Sequence, residues 1–315
     1  MKHSCSCKTK ALAPATVLSN EKLGPRIFRI TLQLKGLGAK AFAAFKPGQF
    51  AQFEVRDLAL PAKYAIPADL KDKSRKNNIL RRPFSFYNVE VVEDSVILRA
   101  LYLVLGAGTL RLSTTTAGDE ISLVGPLGNG FSVPKNKKLA LILAGGMGAP
   151  PLQHLGTFLA EKHPEIRVAA FAGARSKADL PFNLVKTHAE TELSFCLEEF
   201  ARHNIESHVA TDDGSVGYKG FVTDLLQHWL TKNSIDPAQT IIYTCGPDPM
   251  LASVARLAAS LNVDCQVSTE RVMGCGFGVC QSCAIECYKP GTQEKIYKLC
   301  CTDGPVFDSR EVAWK

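Results

Sequence analysis

The sequence predicts a multi-domain β + α/β protein. The domains are an antiparallel β-barrel over residues 11–135, a doubly wound parallel α/β domain over 136–262 and a small cysteine-rich domain over 263–315. Short apolar runs alternate with turn residues in the first region, strands alternate with helical patterns in the second, and cysteines crowd the third. A chain of 315 residues is long enough for two or three domains with separate cores.

The β-barrel is predicted from short apolar runs bounded by turns. Glycine or proline marks turns at 46–48, 117–119 and 125–126, as expected for antiparallel strands. The segment 57–80 lacks this alternation and predicts a long surface insertion. The candidate strands are residues 27–34, 49–55, 84–92, 95–104 and 120–123.

The α/β domain is predicted from apolar strands that alternate with amphipathic helices. Apolar residues dominate the strands, which is typical of a parallel sheet covered on both faces. They span residues 139–144, 167–173, 207–211 and 240–244. The helical faces comprise Phe221, Leu225, Leu226 and Trp229, then Met250, Val254, Leu257 and Leu261.

Composition and charge narrow the function class. Hydrophobic residues make up 46% and charged residues 21%, as in ordinary globular proteins, and no apolar run approaches the ~20 residues that span a bilayer. The net charge of +7 comes from residues 1–10 and 69–82, which leaves the remainder neutral and argues against a nucleic-acid-binding face. Many cysteines without a signal peptide favour the reducing cytoplasm.

The cysteine array is the most specific chemical signal. Cys275, Cys280 and Cys283 follow the C-x4-C-x2-C spacing of a plant-type [2Fe–2S] site, which takes a distant fourth cysteine. Glycines at 274, 276 and 278 let the backbone wrap a cluster without Cβ clashes. A structural zinc site usually uses two short cysteine pairs, and this loop has one. The array therefore predicts an electron carrier, with zinc as the alternative.

The fourth ligand is left open by spacing alone. Cys300 and Cys301 are adjacent, and Cys287 is also near. Cys5 and Cys7 in the N-terminal tail are interpreted as part of an exposed segment, with metal binding as the alternative. The spacing therefore predicts three ligands and leaves Cys287, Cys300 and Cys301 as candidates for the fourth.

Two motifs in the barrel region predict a flavin site. The stretch Arg82-Pro83-Phe84-Ser85 offers an arginine for a phosphate and a serine near a flavin ring. The glycine turn at 106–109 leads into a short helix whose free N–H groups suit a pyrophosphate. Each motif alone is weak, since many strands and turns begin this way.

Two turns in the α/β region predict a nucleotide site. Residues 144–151 and 244–250 both join the carboxyl end of a strand to a helix, where ligands of parallel sheets bind. Neither contains the G-x-G-x-x-G fingerprint. Cys245 is interpreted as a small packing residue near a ligand, with a reactive thiol as the alternative.

The order of these motifs resembles the ferredoxin–NADP reductase superfamily. More narrowly, the sequence resembles the electron-transfer subunits of NAD-dependent (class B) dihydroorotate dehydrogenases. The resemblance covers about 14–307, and its narrower part rests on residues 125–131, 211–215, 270–283 and 301–307. The insertion at 57–80 and the cysteine-bearing tail are longer than the family pattern, which leaves the geometry toward a partner open.

The resemblance implies a role for each motif. Cys301 becomes the fourth ligand beside Cys275, Cys280 and Cys283, and Cys300 becomes a spare thiol. The implied FAD-binding residues are Arg82, Pro83, Phe84, Ser85, Gly108 and Thr109, with the backbone of Leu101, Tyr102 and Leu103 along the isoalloxazine. The implied NAD(H)-binding residues are Gly145, Gly146, Gly148, Cys245, Gly246 and Pro247.

The implied function is an electron relay in pyrimidine biosynthesis. NAD(H), FAD and a [2Fe–2S] cluster would connect to a partner FMN-containing dihydroorotate dehydrogenase subunit in a heterotetramer, and no residue of this chain would act as a catalytic acid or base. Arg175 and Lys177 leave a preference for NADP open, and NAD is expected from the family. Alternatives are the small subunit of an NADH-dependent ferredoxin:NADP+ oxidoreductase or of a sulfhydrogenase, and a zinc-stabilised binding module.

Overall fold

Two seven-stranded sheets organise the computed structural model, which describes residues 10–76, 79–186 and 195–314. The first sheet is antiparallel and the second is mainly parallel. Cys5 and Cys7 lie outside the described residues. Within the described ranges, no helix is long and apolar enough to cross a membrane.

The antiparallel sheet forms the predicted barrel. Its order is β4-β3-β7-β1-β2-β6-β5, and the rings of Phe84 and Tyr102 meet edge to face at 6.0 Å, which brings β4 and β6 together. Phe42 of a short helix packs into the enclosed core. The elements are β1 (Ala11–Lys22), β2 (Ile27–Lys35), α1 (Gly36–Phe42), β3 (Phe50–Phe53), α2 (Lys71–Ser74), β4 (Arg82–Ser85), β5 (Asn88–Val92), β6 (Ser95–Leu103), α3 (Ala107–Leu112) and β7 (Glu120–Leu127).

Three barrel elements differ from the prediction. The predicted strand 84–92 is two strands, because the chain leaves the sheet at Phe86 and Tyr87 between β4 and β5. Strand β1 is absent from the predicted set, since its buried positions begin with two alanines that give a weak hydrophobic signal. Helix α1 was also missed, because glycine and alanine dominate its sequence.

The segment 57–80 is anchored to the barrel, which corrects the prediction of a purely surface insertion. Ile66, Leu70 and Ile79 are buried in the barrel core. The charged side chains between them remain exposed, and that of Arg75 is 81% accessible. Lys73 Nζ donates to the carbonyl oxygen of Leu105 at 3.2 Å, so the segment reaches the turn before α3.

The α/β sheet has the order β13-β12-β9-β8-β14-β15-β18. From β8 the strand order runs outward through β9 and β12 on one side, and the chain then returns to β14 on the other side of β8. The carboxyl ends of β8 and β14 therefore form the switch point where ligands of such sheets bind. The elements are β8 (Leu139–Gly145), α4 (Ala149–Lys162), β9 (Arg167–Ala174), β10 (Leu184–Lys186), β11 (Phe195–Leu197), α5 (Glu198–Ala201), β12 (Glu206–Thr211), β13 (Tyr218–Lys219), α6 (Val222–Lys232), β14 (Thr240–Cys245), α7 (Asp248–Ser260), β15 (Asp264–Ser268), β16 (Ala284–Tyr288), β17 (Lys295–Leu299) and β18 (Val306–Asp308).

The four predicted α/β strands lie within one residue of β8, β9, β12 and β14. One helical position was wrong: Phe221 precedes α6 and is 65% exposed, and Val222 is buried in its place. Because α6 begins at Val222, its buried face starts at that residue, one position later than the sequence periodicity indicated.

The C-terminal region is joined to both larger domains. Strand β15, beyond the predicted boundary at 262/263, pairs with β14 in the parallel sheet, and β18 pairs with β15. On the barrel side, Asn129 donates its backbone N–H to Gly304 O at 2.6 Å, and its side chain donates to the carbonyls of Thr302 and Asp303. The hairpin β16–β17 completes this region.

Candidate cofactor cleft and cysteine centre

A cleft of about 690 Å³ lies between the barrel and the carboxyl ends of β8 and β14. Every residue predicted to bind FAD or NAD(H) lines it, so motifs more than 150 residues apart in the chain share one cavity. These residues are Arg82, Pro83, Phe84, Ser85, Leu101, Tyr102, Leu103, Gly108, Thr109, Gly145, Gly146, Gly148, Cys245, Gly246 and Pro247. Their individual roles stay predictions.

On the barrel side of the cleft, the positively charged side chain of Arg82 lies close to Gly108. The Arg82 guanidinium donates to the carbonyl oxygens of Leu80 and Arg81, which are neutral, so its charge is available to an anion. A Cβ on Gly108 would lie 3.2 Å from Arg82 Cγ and 3.1 Å from a methyl group of Val55. Glycine thus lets the arginine lie close to the start of α3. This pairing fits a phosphate group of FAD.

Thr109 shapes the turn before α3. Its hydroxyl oxygen accepts from the backbone N–H groups of Leu105 at 2.9 Å and Gly106 at 3.3 Å. This side chain therefore holds the turn closed, a structural role in addition to the predicted contact with FAD.

The edge of β6 presents backbone to the cleft. The Tyr102 ring turns into the barrel, where it stacks on Phe28 at 5.4 Å and its hydroxyl donates to Asn20 Oδ1 at 3.0 Å. Burial raises the pKa of Tyr102, so its hydroxyl stays protonated. This orientation fits the prediction that the strand lines a flavin ring with main-chain atoms.

The two glycine turns at the switch point pack backbone against backbone. A Cβ on Gly148 would lie 2.1 Å from the carbonyl oxygen of Cys245, and one on Gly246 would lie 3.1 Å from Gly145 Cα. Gly146 differs: its φ is +48° and a Cβ there would meet open space. Gly148 thus serves the packing of the turns, and Gly146 leaves space for a ligand.

We expect Gly148→Ala to destabilise the protein far more than Gly146→Ala. The Gly148 methyl group would overlap backbone that cannot move aside, for a loss of about 3 kcal/mol or more in the free energy of unfolding. The Gly146 methyl group meets only the strain of a left-handed φ, about 1 kcal/mol. Urea unfolding of both variants measures the difference. Equal losses would contradict the assignment.

Cys245 lies at the end of β14 in this cleft. Burial raises the pKa of its thiol to about 12, so the group is protonated at neutral pH and is a poor nucleophile. This agrees with its interpretation as a packing residue near a ligand.

The four predicted cluster ligands form two pairs. In the first pair, the Cys275 N–H donates to Cys280 Sγ at 3.3 Å and the Cys280 N–H donates to Cys275 Sγ at 3.4 Å. Ser282 Oγ lies 3.1 Å from Cys280 Sγ, and its hydrogen bond is the main cause that lowers the pKa of Cys280 to about 6. A thiolate, the form that binds metal, is therefore favoured at Cys280.

The second pair distinguishes Cys301 from its neighbours. Cys283 and Cys301 are both buried. The pKa of Cys301 is raised to about 12, mainly because the thiol is buried and next because the Cys283 thiol lies beside it. The Cys300 thiol instead donates to Thr269 O at 3.3 Å, and Cys287 packs into the α/β core. The side chains of Cys300 and Cys287 are thus used elsewhere.

The division into two cysteine pairs matches the way a [2Fe–2S] cluster is held. A [2Fe–2S] cluster divides its four cysteines between two irons, whereas structural zinc draws four ligands around one ion. The two cysteine pairs therefore fit the iron–sulfur prediction.

Sequence reasoning missed the residues that lie between the cleft and the cysteines. Phe50 and Met273 line the cleft and also pack with Cys283, Cys300 and Cys301 in one buried cluster. Met273 lies within the stretch 270–283 that carries the resemblance, but neither residue was given a role, since a phenylalanine on a strand and a methionine in a loop are ordinary core residues.

Comparison with known proteins then identifies the family. The model for the iron–sulfur cluster binding domain of dihydroorotate dehydrogenase B matches residues 270–313, which contain all four paired cysteines. The electron transfer subunit of dihydroorotate dehydrogenase B (NAD(+)) from Desulforamulus reducens is 33% identical over 84% of this chain and 92% of that protein. The chain belongs to this family of electron transfer subunits.

Further members and solved structures agree with this assignment. The electron transfer subunit from Bacillus velezensis is 32% identical over 96% of this chain and 98% of its own length. The structure of NADH-dependent reduced ferredoxin-NADP oxidoreductase is 25% identical, with a TM-score of 0.69 over 96% of this chain and 90% of that chain. A Neisseria gonorrhoeae ferredoxin NADP+ reductase with bound FAD and NADP shares the fold at 17% identity, with a TM-score of 0.54 over 80% and 92% of the two chains. The predicted fold class is confirmed.

Proposed function

We propose that this electron transfer subunit relays electrons between NAD(H) and a partner FMN-containing dihydroorotate dehydrogenase subunit, through FAD and a [2Fe–2S] cluster. The observation that carries the proposal is the shared wall formed by Phe50 and Met273. These two side chains line the cleft and belong to the same buried cluster as Cys283 and Cys301, two of the predicted cluster ligands. Two cofactors bound on either side of this wall would be close neighbours.

Each part of the chain has a binding task in this proposal. Arg82 neutralises a phosphate of FAD, and the ends of β4 and β6 hold the flavin ring. The turn at Gly146 receives the nicotinamide nucleotide, and the cysteine pairs hold the cluster. Bound flavin supplies the conversion between a hydride pair and single electrons that an iron–sulfur cluster alone lacks. The chain's own groups position these centres and transfer no proton to or from the substrate.

The dinucleotide specificity is proposed to be NAD. Arg175 follows β9, where a 2′-phosphate would lie, but its guanidinium pairs with Asp179 at 3.2 Å. Its carbonyl oxygen accepts from the N–H of Asp213. The Arg175–Asp179 pair partly neutralises the charge that a 2′-phosphate would need, and the relatives named for NAD(+) support the same preference.

The partner is proposed to bind over the cysteine loop. Val272 and Val279 are 84% and 74% exposed, and Phe277 between them is half exposed. Exposed apolar side chains grouped on one loop are typical of a protein interface. Their position beside Cys275 and Cys280 would bring the partner's cofactor next to the cluster. We propose a heterotetramer, which the mass of the purified assembly tests.

An anaerobic NADH titration of the purified subunit tests the relay. We expect bleaching of the flavin absorption together with a rhombic [2Fe–2S] signal in electron paramagnetic resonance (EPR) spectra. Bound zinc without iron or sulfide, or a preparation without flavin, would exclude the relay. A signal that appears with dithionite but not with NADH would leave a cluster and exclude its reduction by the nucleotide.

A ferredoxin:NADP+ oxidoreductase subunit is the second candidate, because the similarity to that structure covers nearly the whole chain. The partner distinguishes the two functions. Orotate-dependent oxidation of NADH by the purified assembly supports the dihydroorotate dehydrogenase assignment, and ferredoxin-dependent NADP+ reduction supports the other.

A further inference from the structure

Gln52 occupies an unusual position on β3. Alternate residues of this strand face opposite sides: Ala51 and Phe53 pack into the barrel core, whereas Phe50 packs against the cysteine region. Gln52 shares the side of Phe50. Its side chain therefore leaves the barrel and extends toward the loop that carries the cluster ligands.

The contact with that loop is close. A Cβ built on Gly276 would lie 2.7 Å from Gln52 Nε2 and 2.8 Å from its Cγ. Gly276 immediately follows Cys275 and has a φ of +85°. Only glycine provides the space and the conformation for the Gln52 amide to lie against the backbone here.

This amide is buried without a partner. Gln52 is 0% exposed, and neither Nε2 nor Oε1 has a hydrogen-bond partner among the described residues. A buried polar group left in this state costs about 1–3 kcal/mol. An acceptor that is present during function and absent from the polypeptide would remove the part of that cost that belongs to Nε2.

The neighbouring Gln49 shows that the fold can pair a buried amide in this region. Gln49 Oε1 accepts from the Lys46 N–H and its Nε2 donates to Gly128 O, both at 2.9 Å. Gln49 is also buried, at 5% exposed. Gln49 is thus paired within the polypeptide, whereas Gln52, three residues further along the chain, is not.

We propose that Gln52 is a positioning residue for the [2Fe–2S] cluster, whose Nε2–H donates to a sulfur atom of the cluster or of the Cys275 thiolate. Sulfide and thiolate sulfur atoms accept hydrogen bonds and cannot donate them, so the NH2 end of the amide is the end they satisfy. The inference rests on the proposed function, since it requires the cluster to be bound.

This hydrogen bond has a consequence for the reduction potential. Reduction adds an electron to the cluster, and a donor directed at sulfur stabilises the more negative state. Hydrogen bonds to sulfur are among the factors that set cluster potentials. Gln52 therefore raises the potential of the cluster and favours electron flow onto it.

The experiment is an EPR-monitored redox titration of the cluster-containing protein and its Gln52→Leu variant. We expect the variant to bind iron and sulfide as the wild type does, with about a tenfold lower ratio of reduced to oxidised cluster at a fixed ambient potential. For a one-electron couple this is a downward shift of about 59 mV. Gln49→Leu is the matched control: it removes a paired buried amide and should lower stability without shifting the potential.

A second variant keeps the packing and removes the donor. Gln52→Met has nearly the same length and shape and no N–H donor, so the potential should shift downward as well. An unchanged potential in either cluster-containing variant would overturn the proposal. Loss of the cluster from both variants, with retention in Gln49→Leu, would assign Gln52 a packing role and also overturn it. A wild-type protein without any cluster signal would instead refute the proposed function.

Discussion

Cys301→Ser is expected to abolish the cluster, whereas Cys300→Ser is expected to leave it in place. The Cys301 sulfur lies beside Cys283, so its loss removes one ligand of a buried pair. The Cys300 thiol donates to Thr269 O, and a serine hydroxyl can donate to the same carbonyl. Two adjacent residues of the same type should thus differ completely in their effect.

Iron and sulfide per chain and the EPR signal of the reduced protein measure this difference. We expect at least about a tenfold loss of bound iron in Cys301→Ser, since even changes beyond the direct ligands cost 10- to 100-fold in metal affinity. Flavin absorbance provides the internal control, because the residues predicted to bind FAD lie on the barrel and should retain their cofactor. Loss of iron in Cys300→Ser, with retention in Cys301→Ser, would reverse the ligand assignment.

Arg82→Ala is expected to weaken FAD binding strongly. Its guanidinium is the charge that the barrel side of the cleft offers to the cofactor's phosphates, and its present partners are neutral carbonyl oxygens. A hydrogen bond to a charged group contributes about 1.5–3 kcal/mol, so the dissociation constant for FAD should rise roughly 10- to 150-fold. Titration of the flavin-free protein with FAD, followed by fluorescence, gives this constant.

Arg81→Ala is the matched control for this substitution. Arg81 pairs with Glu54 at 3.5 Å and donates to Ser122 O at 2.9 Å, so it holds strands of the barrel together. Its loss should lower the midpoint of thermal unfolding and leave FAD affinity within about threefold, a difference of less than 1 kcal/mol. A larger loss of FAD affinity in Arg81→Ala than in Arg82→Ala would show that Arg81, and not Arg82, binds the phosphate.

The sequence predicted the α/β strands well because β8, β9 and β14 are rich in apolar residues and alternate with helical patterns. The cleft could also be predicted from its motifs, since parallel strands bring their carboxyl ends to one edge. Strand β1 was missed because Ala13 and Ala15 bury little apolar surface. The boundary at 262/263 preceded β15, since the cysteine-rich composition begins there while the sheet continues.

The finer features of the site depend on tertiary contacts that local pattern cannot reveal. Cys300 and Cys301 are equivalent in spacing, and only the folded chain shows that one thiol meets Thr269 and the other meets Cys283. Gln52 has an even weaker signal, because nothing in its strand predicts a buried amide without a partner. Its contact with Gly276 joins positions more than 200 residues apart.

The attachment of the C-terminal region to both larger domains has a mechanical consequence. Its last strand is part of the α/β sheet through β15, and its turn at 302–304 is fastened to the barrel by Asn129. A hinge motion that separated the barrel from the α/β sheet would have to break either the Asn129 hydrogen bonds or the pairing of β15 with β18. We infer that nucleotides enter and leave through local movement of the turns at the carboxyl ends of β8 and β14. The distance between the flavin site and the cysteine centre then stays constant while nucleotides bind and leave.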